Sequence, residues 1–130
     1  MYRKRALEKF KGDIFATETT GIVIDEVCEN YAKCSLEYDR KHLNAAGSVM
    51  GGAIFTLADF TFAVASNTGE YTTVSLNSQI NYLSAPSGGK IFSEATCVKD
   101  GGTICIFEVM ITDAQNRKVA FATFTGFKKK

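Results

Sequence analysis

Asp59 is the first residue that asks for a chemical explanation. It lies in HLNAAGSVMGGAIFTLADF, residues 42–60, among Ile54, Phe55, Leu57, Phe60 and Phe62. A carboxylate in such company is costly to desolvate. The same surroundings raise its proton affinity, which suits a general base or a nucleophile. Gly51 and Gly52 stand at the predicted start of the helix that carries it. Backbone N–H groups there have no intrahelical acceptor and lie at the positive end of the helix dipole. Lacking Cβ atoms, the two glycines let the backbone approach a carbonyl closely. Asn44, earlier in the same stretch, can both donate and accept.

The chain offers few other reactive groups. His42 is its only histidine, so no histidine-rich metal site can form. Its place in the loop before the helix also suits a capping or loop-fixing role. Cys28, Cys34, Cys97 and Cys105 form no C-x-x-C pair, and each sits in a strand-like run. They read as structural thiols packed as small hydrophobes. No metal site is expected.

The bulk numbers narrow the function further. A chain of 130 residues with 45% hydrophobic and 22% charged residues is long enough for one domain with a real core. One domain spanning 1–130 is expected. A formal net charge of +1 argues against nucleic acid or an acidic membrane as partner. Lys128–Lys130 then reads as a solvated tail. No run resembles a signal peptide or approaches the ~20 apolar residues of a membrane span. A cytoplasmic protein is the expectation.

The elements that must position Asp59 follow from periodicity. Residues 2–12 suit a short amphipathic helix, and GIVIDEVCENYAKCSLEYD suits a hairpin turning at Glu29-Asn30. GGAIFTLADFTFAVASN has only a narrow polar line, Thr56, Asp59 and Ser66/Asn67, so this helix should be covered on nearly all sides. That polar line is also the purely structural reading of Asp59. TVSLNSQINYL alternates Val74, Leu76, Ile80 and Tyr82 against Ser75, Asn77, Gln79 and Asn81. Pro86 breaks the chain before KIFSEATCV. Asp100-Gly101 and Asp113–Asn116 mark hairpins into TICIFEVMIT and KVAFATFTGF. Helix, two strands, a long helix and four strands predict an α+β fold in which one antiparallel sheet wraps a central helix.

The motif H-L-N-x-x-G-x-x-M-G-G-x-x-x-x-L-A-D resembles the signature of the PaaI-like hotdog acyl-CoA thioesterases, H-x-N-x-x-G-x-x-H-G-G-x-x-x-x-L-x-D. His42, Asn44, Gly47, Gly51, Gly52, Leu57 and Asp59 match it. The resemblance implies the hotdog fold and hydrolysis of an acyl-CoA to a carboxylic acid and free CoA, with no metal or redox cofactor. It assigns Asp59 as general base or nucleophile and the Gly51 N–H as oxyanion donor, a role worth ~3 kcal/mol. Asn44 would hold the attacking water or the substrate carbonyl. Ser75 would be the strand hydroxyl supporting the water or carboxylate, with Asn77 on the same face as a competitor. His42, Met50 and Gly52 would contact substrate. Lys90, Lys99, Arg117 and Lys118 are candidate cations for the CoA phosphates.

Helix geometry adds a constraint. Asp59 lies eight residues beyond Gly51, so the two are ~12 Å apart along one helix. Groups acting on one thioester must converge to ~3 Å of it. Asp59 must then meet the Gly51 of a second subunit, making a homodimer obligatory; the resemblance adds dimers of dimers. Met50 is the departure, standing where the family has histidine. A thioether can neither donate a hydrogen bond nor carry a proton. A non-catalytic acyl-CoA-binding or sensing protein is therefore the alternative. A hotdog dehydratase, which would need a histidine–acid pair, fits poorly.

Overall fold

The computed structural model describes residues 1–130. Its central element is α2, Gly51–Ser66, the apolar stretch just discussed. Leu57, Ala58, Val64 and Ala65 are fully buried. Phe62 stacks on Phe124 with ring centroids 4.8 Å apart and meets Phe107 edge-on at 5.6 Å. These rings anchor the helix to the sheet, since aromatic side chains dominate core burial. Gly126 makes room for them: a Cβ there would lie 2.8 Å from the Cys105 sulfur and 3.0 Å from the Phe62 ring.

The sheet has six antiparallel strands: β1 Val23–Cys28, β2 Tyr31–Glu37, β3 Thr72–Tyr82, β4 Lys90–Asp100, β5 Ile104–Asp113 and β6 Lys118–Lys129. Their spatial order is β1-β2-β4-β5-β6-β3. The β1–β2 hairpin turns at Glu29-Asn30 as expected, with Asn30 in the left-handed region at φ 55°. At the Asp113 hairpin the buried carboxylate accepts the N–H groups of Gln115 and Arg117. It also accepts the N–H of Ser87, pinning the loop before β4. The N-terminal helix α1 spans Tyr2–Phe10, shorter than the expected 2–12, and sets Phe10 edge-on to Phe60 at 5.6 Å.

The helix α2 is covered on most sides and opens along the expected polar line, with Gly52 and Asp59 exposed and Thr56 half-buried. Two expectations are corrected. In β3 the simple alternation fails because Leu76 is an extra residue in a bulge. Ser75 pairs with Gly126 but Asn77 pairs with Thr125. Cross-strand partners share a face and neighbours along a strand do not. Ser75 therefore faces α2 with Ser78, Ile80 and Tyr82, while Asn77 points the other way. Finally, Cys28 is exposed rather than packed; Cys34 and Cys105 are buried, and all four thiols are free.

Candidate active site

The site is built on the loop that enters α2. Asn44 folds this loop upon itself: its Oδ1 accepts the N–H groups of Ala46 at 2.9 Å and Ser48 at 3.1 Å. Its carbonyl is thus consumed locally, and only its NH2 group is left to donate outward. The bridge Leu43–Val49 closes the loop, and Gly47 takes the positive φ of 86° at its tip.

His42 is 6% exposed and holds the base of the loop. Its Nδ1 accepts the Asp39 N–H at 3.0 Å, and its Nε2 lies 2.7 Å from the Thr20 carbonyl oxygen. A carbonyl can only accept, so this pattern assigns the neutral ring with its proton on Nε2. Both nitrogens are engaged by backbone. His42 thereby ties the 3-10 turn Arg40–His42 to the end of a π-helical turn, Phe15–Thr20.

The first turn of α2 sorts its amides into used and unused. The Met50 N–H donates to the His42 carbonyl at 2.8 Å, while those of Ala53 and Ile54 return to the Met50 carbonyl. Gly51 and Gly52 N–H have no protein acceptor. They are two adjacent donors at the positive end of the helix. Tyr82, arriving from the end of β3, donates its hydroxyl to the Gly51 carbonyl at 3.0 Å. A Cβ on Gly51 would lie 3.2–3.4 Å from the Tyr82 ring, so glycine here admits the tyrosine.

Asp59 is open to solvent on one side and backed by apolar groups on the other. Its carboxyl is pushed above the usual carboxylate range, first by burial and then by the negative charge of Asp13. The acid occupies a cleft of about 500 Å³ with Asp13, Phe15, Phe55 and Phe60. Met50, Gly52 and His42 border a second cleft of about 480 Å³. Gly51 borders a third, of about 320 Å³, against Tyr82, Leu83 and Pro86. One chain therefore brings Met50, Gly52 and His42 together but holds Gly51 away from Asp59. Ser75 is exposed on the inward face of β3, and its hydroxyl makes no protein hydrogen bond. Of the candidate phosphate-binding cations, Arg117 is engaged by Asp113 at 3.2 Å and by the Ala85 carbonyl at 2.9 Å. Lys90 rests over the Phe92 ring, and Lys99 and Lys118 are exposed.

Three residues enter the site unannounced by the motif: Tyr82, Asp13 and Phe15. Their contribution comes from strand register and from the π-turn. Neither leaves a local pattern in the sequence.

Comparison with known proteins agrees with this architecture. Residues 46–120 match the thioesterase superfamily. The PaaI protein of the Escherichia coli phenylacetic acid degradation operon superposes with a TM-score of 0.92, covering 99% of this chain and 94% of its own, at 22% identity. The protein smu.793 of Streptococcus mutans, solved bound to acetyl CoA, is 32% identical with a TM-score of 0.79, covering 83% of this chain and 88% of its own. A hypothetical thioesterase protein with coenzyme A from Streptococcus pneumoniae is 28% identical with a TM-score of 0.85, covering 95% and 96%. No helix is long and apolar enough to cross a membrane. With its six-stranded sheet, its central helix and a match over residues 46–120, the chain belongs to the thioesterase superfamily, in the PaaI-like hotdog fold.

Proposed function

We propose that the protein hydrolyses acyl-CoA thioesters to a carboxylic acid and free CoA, at sites completed by two copies of the chain. One observation carries this reading. The unpaired Gly51 and Gly52 N–H groups open α2, and the Asp59 carboxylate, with its raised proton affinity, lies further along the same helix on the exposed line through Gly52. Donors for an oxyanion and a base for water are the two requirements of thioester hydrolysis.

In this reading the thioester oxygen accepts from the Gly51 N–H, with Gly52 beside it. Asp59 takes a proton from water as the water oxygen bonds to the carbonyl carbon. Collapse of the tetrahedral intermediate breaks the C–S bond, and the departing CoA sulfur takes the proton back from Asp59. With Asp59 as nucleophile instead, its oxygen bonds to the carbonyl carbon as the C–S bond breaks and CoA leaves as the thiolate. Water then cleaves the mixed anhydride to the carboxylic acid and the Asp59 carboxylate, and the proton released goes to the thiolate. The free NH2 of Asn44 holds the water or the carbonyl, and Ser75 supports the carboxylate. His42 works by fixing the loop and Met50 as an apolar wall. These steps call for no metal or redox cofactor; coenzyme A enters as part of the substrate.

A second copy is needed because Gly51 and Asp59, eight residues apart on one straight helix, are ~12 Å from each other. The edge strand β3 supports this. Its helix-facing Ser75, Ser78 and Tyr82 are exposed in the single chain, an inner surface that lacks a cover. A homodimer is the minimum assembly, and two dimers could pair further. Met50, 56% exposed and bordering the cleft at the start of α2, favours one second reading, a protein that binds acyl-CoA without turnover.

The test is hydrolysis of short, medium, long and aryl acyl-CoA esters, followed by loss of thioester absorbance, beside Asp59→Ala. Turnover lowered ~100-fold or more by the substitution supports the enzyme. Tight binding of the esters with no turnover in the unaltered protein supports the second reading.

A further inference from the structure

Two clefts flank the exposed line of α2, and only Phe15 and Thr56 border both. The Thr56 hydroxyl turns back to the Gly52 carbonyl at 2.7 Å, so its methyl group is what it leaves outward. Phe15 is 65% exposed. The segment is well anchored. Its N-terminal end is tied by the Thr17 N–H and hydroxyl, both donating to the Asp13 carbonyl at 2.9 Å. Its C-terminal end is tied by Ile22 N–H to the Ala16 carbonyl at 2.9 Å and by His42 to Thr20. Phe15 thus stands on a fixed backbone between a cleft at the Gly52 N–H, beside Met50 and Ala53, and a cleft beside Ile14, Phe60 and Ala63.

We infer that Phe15 sets the length of acyl chain the site accepts: an apolar tail fills the cleft beside Met50 and stops against the Phe15 ring. Met50 and Ala53 offer that tail apolar contact, as a histidine at position 50 would not. The cleft beyond the ring holds two carboxylates, Asp13 and Asp59, and no cation. A tail long enough to reach it must therefore carry no negative charge. This inference rests on the proposed reading of the site as an acyl-CoA site.

The experiment compares kcat/KM for straight-chain acyl-CoA esters from two to twelve carbons in the unaltered protein, Phe15→Ala and Phe15→Tyr. Phe15→Ala should move the optimum to longer chains, with a relative gain of about fourfold for each methylene newly buried. Phe15→Tyr should keep the original optimum. An identical length profile in Phe15→Ala, scaled up or down as a whole, would overturn the inference. So would loss of activity on all chains together with dissociation seen by light scattering, since Phe15 would then be an assembly contact. The same series is read by calorimetric binding to Asp59→Ala and to the double variant with Phe15→Ala. Absence of hydrolysis then counts against the proposed activity, while the binding profile decides the role of Phe15.

Discussion

The Tyr82 hydroxyl donates to the Gly51 carbonyl at 3.0 Å, joining the last residue of β3 to the first residue of α2. That carbonyl belongs to the same peptide unit as the Gly52 N–H. The hydrogen bond therefore orients an amide that, in the proposed reaction, would face the developing negative charge. Tyr82→Phe keeps the ring and removes only this bond. We expect kcat to fall about three- to tenfold, the worth of one hydrogen bond, with little change in KM or thermal midpoint. Gly51→Ala should cost more, because its methyl would press on the Tyr82 ring.

Asp59 must be ionised to act as base, and its carboxyl titrates above the usual carboxylate range. Activity should rise with pH through that raised value. Asp13→Asn removes a neighbouring negative charge, makes ionisation easier and should shift the rising limb to lower pH. Stability follows the opposite sign. A carboxyl whose pKa is raised on folding stabilises the native state only while protonated, and that stabilisation is lost as pH rises through the folded value. At neutral pH Asp59→Asn should therefore raise the thermal midpoint while abolishing turnover.

Shared sites can be tested by mixing inactive variants. If Asn44 of one copy works with Asp59 of the other, co-refolded Asp59→Ala and Asn44→Ala chains regain one intact site per mixed dimer. About a quarter of full activity should return at equal mixing. No recovery, with mixed dimers shown by mass spectrometry, would mean that each chain carries its own site.

Asp113 is held at about 2 by the backbone N–H of Arg117 foremost, with Ser87, Gln115 and the Arg117 side chain adding to it. Its contribution is present above the ordinary carboxylate pKa and is lost as pH falls towards 2. Asp113→Asn should lower the urea midpoint at pH 7 and flatten this acid limb. It should also loosen Ser87 and the loop that walls the cleft beside Gly51.

The core offers a control remote from chemistry. Phe62, seated between Phe107 and Phe124, should cost ~3–5 kcal/mol when replaced by alanine. Urea unfolding measures this directly.

What the sequence made legible was what repeats along it. The apolar run 51–66 named its own helix, and the turn residues at 29–30, 100–101 and 113–116 named their hairpins. The loop-to-helix motif located Asn44, Gly51, Gly52 and Asp59, whose roles remain proposals to test. What stayed hidden depends on other parts of the chain. Leu76 looks like one more alternating apolar residue, yet its bulge turns Ser75 and Asn77 to opposite faces. FATETT has no helical signature, and the bond from His42 to Thr20 fastens its π-turn. Asn44 reads as donor and acceptor, but its carbonyl belongs to the loop.

The single imidazole has a practical consequence. Every copy of the chain carries one histidine, and its two nitrogens join the loop before α2 to the π-turn that presents Phe15. Nitrogen resonances of that ring would arise from one residue alone and would distinguish a protonated Nε2 from a bare Nδ1. The protein thus contains its own reporter. A ligand that shifts the π-turn must disturb those two signals, and one that leaves them unchanged has left the loop and the turn in register.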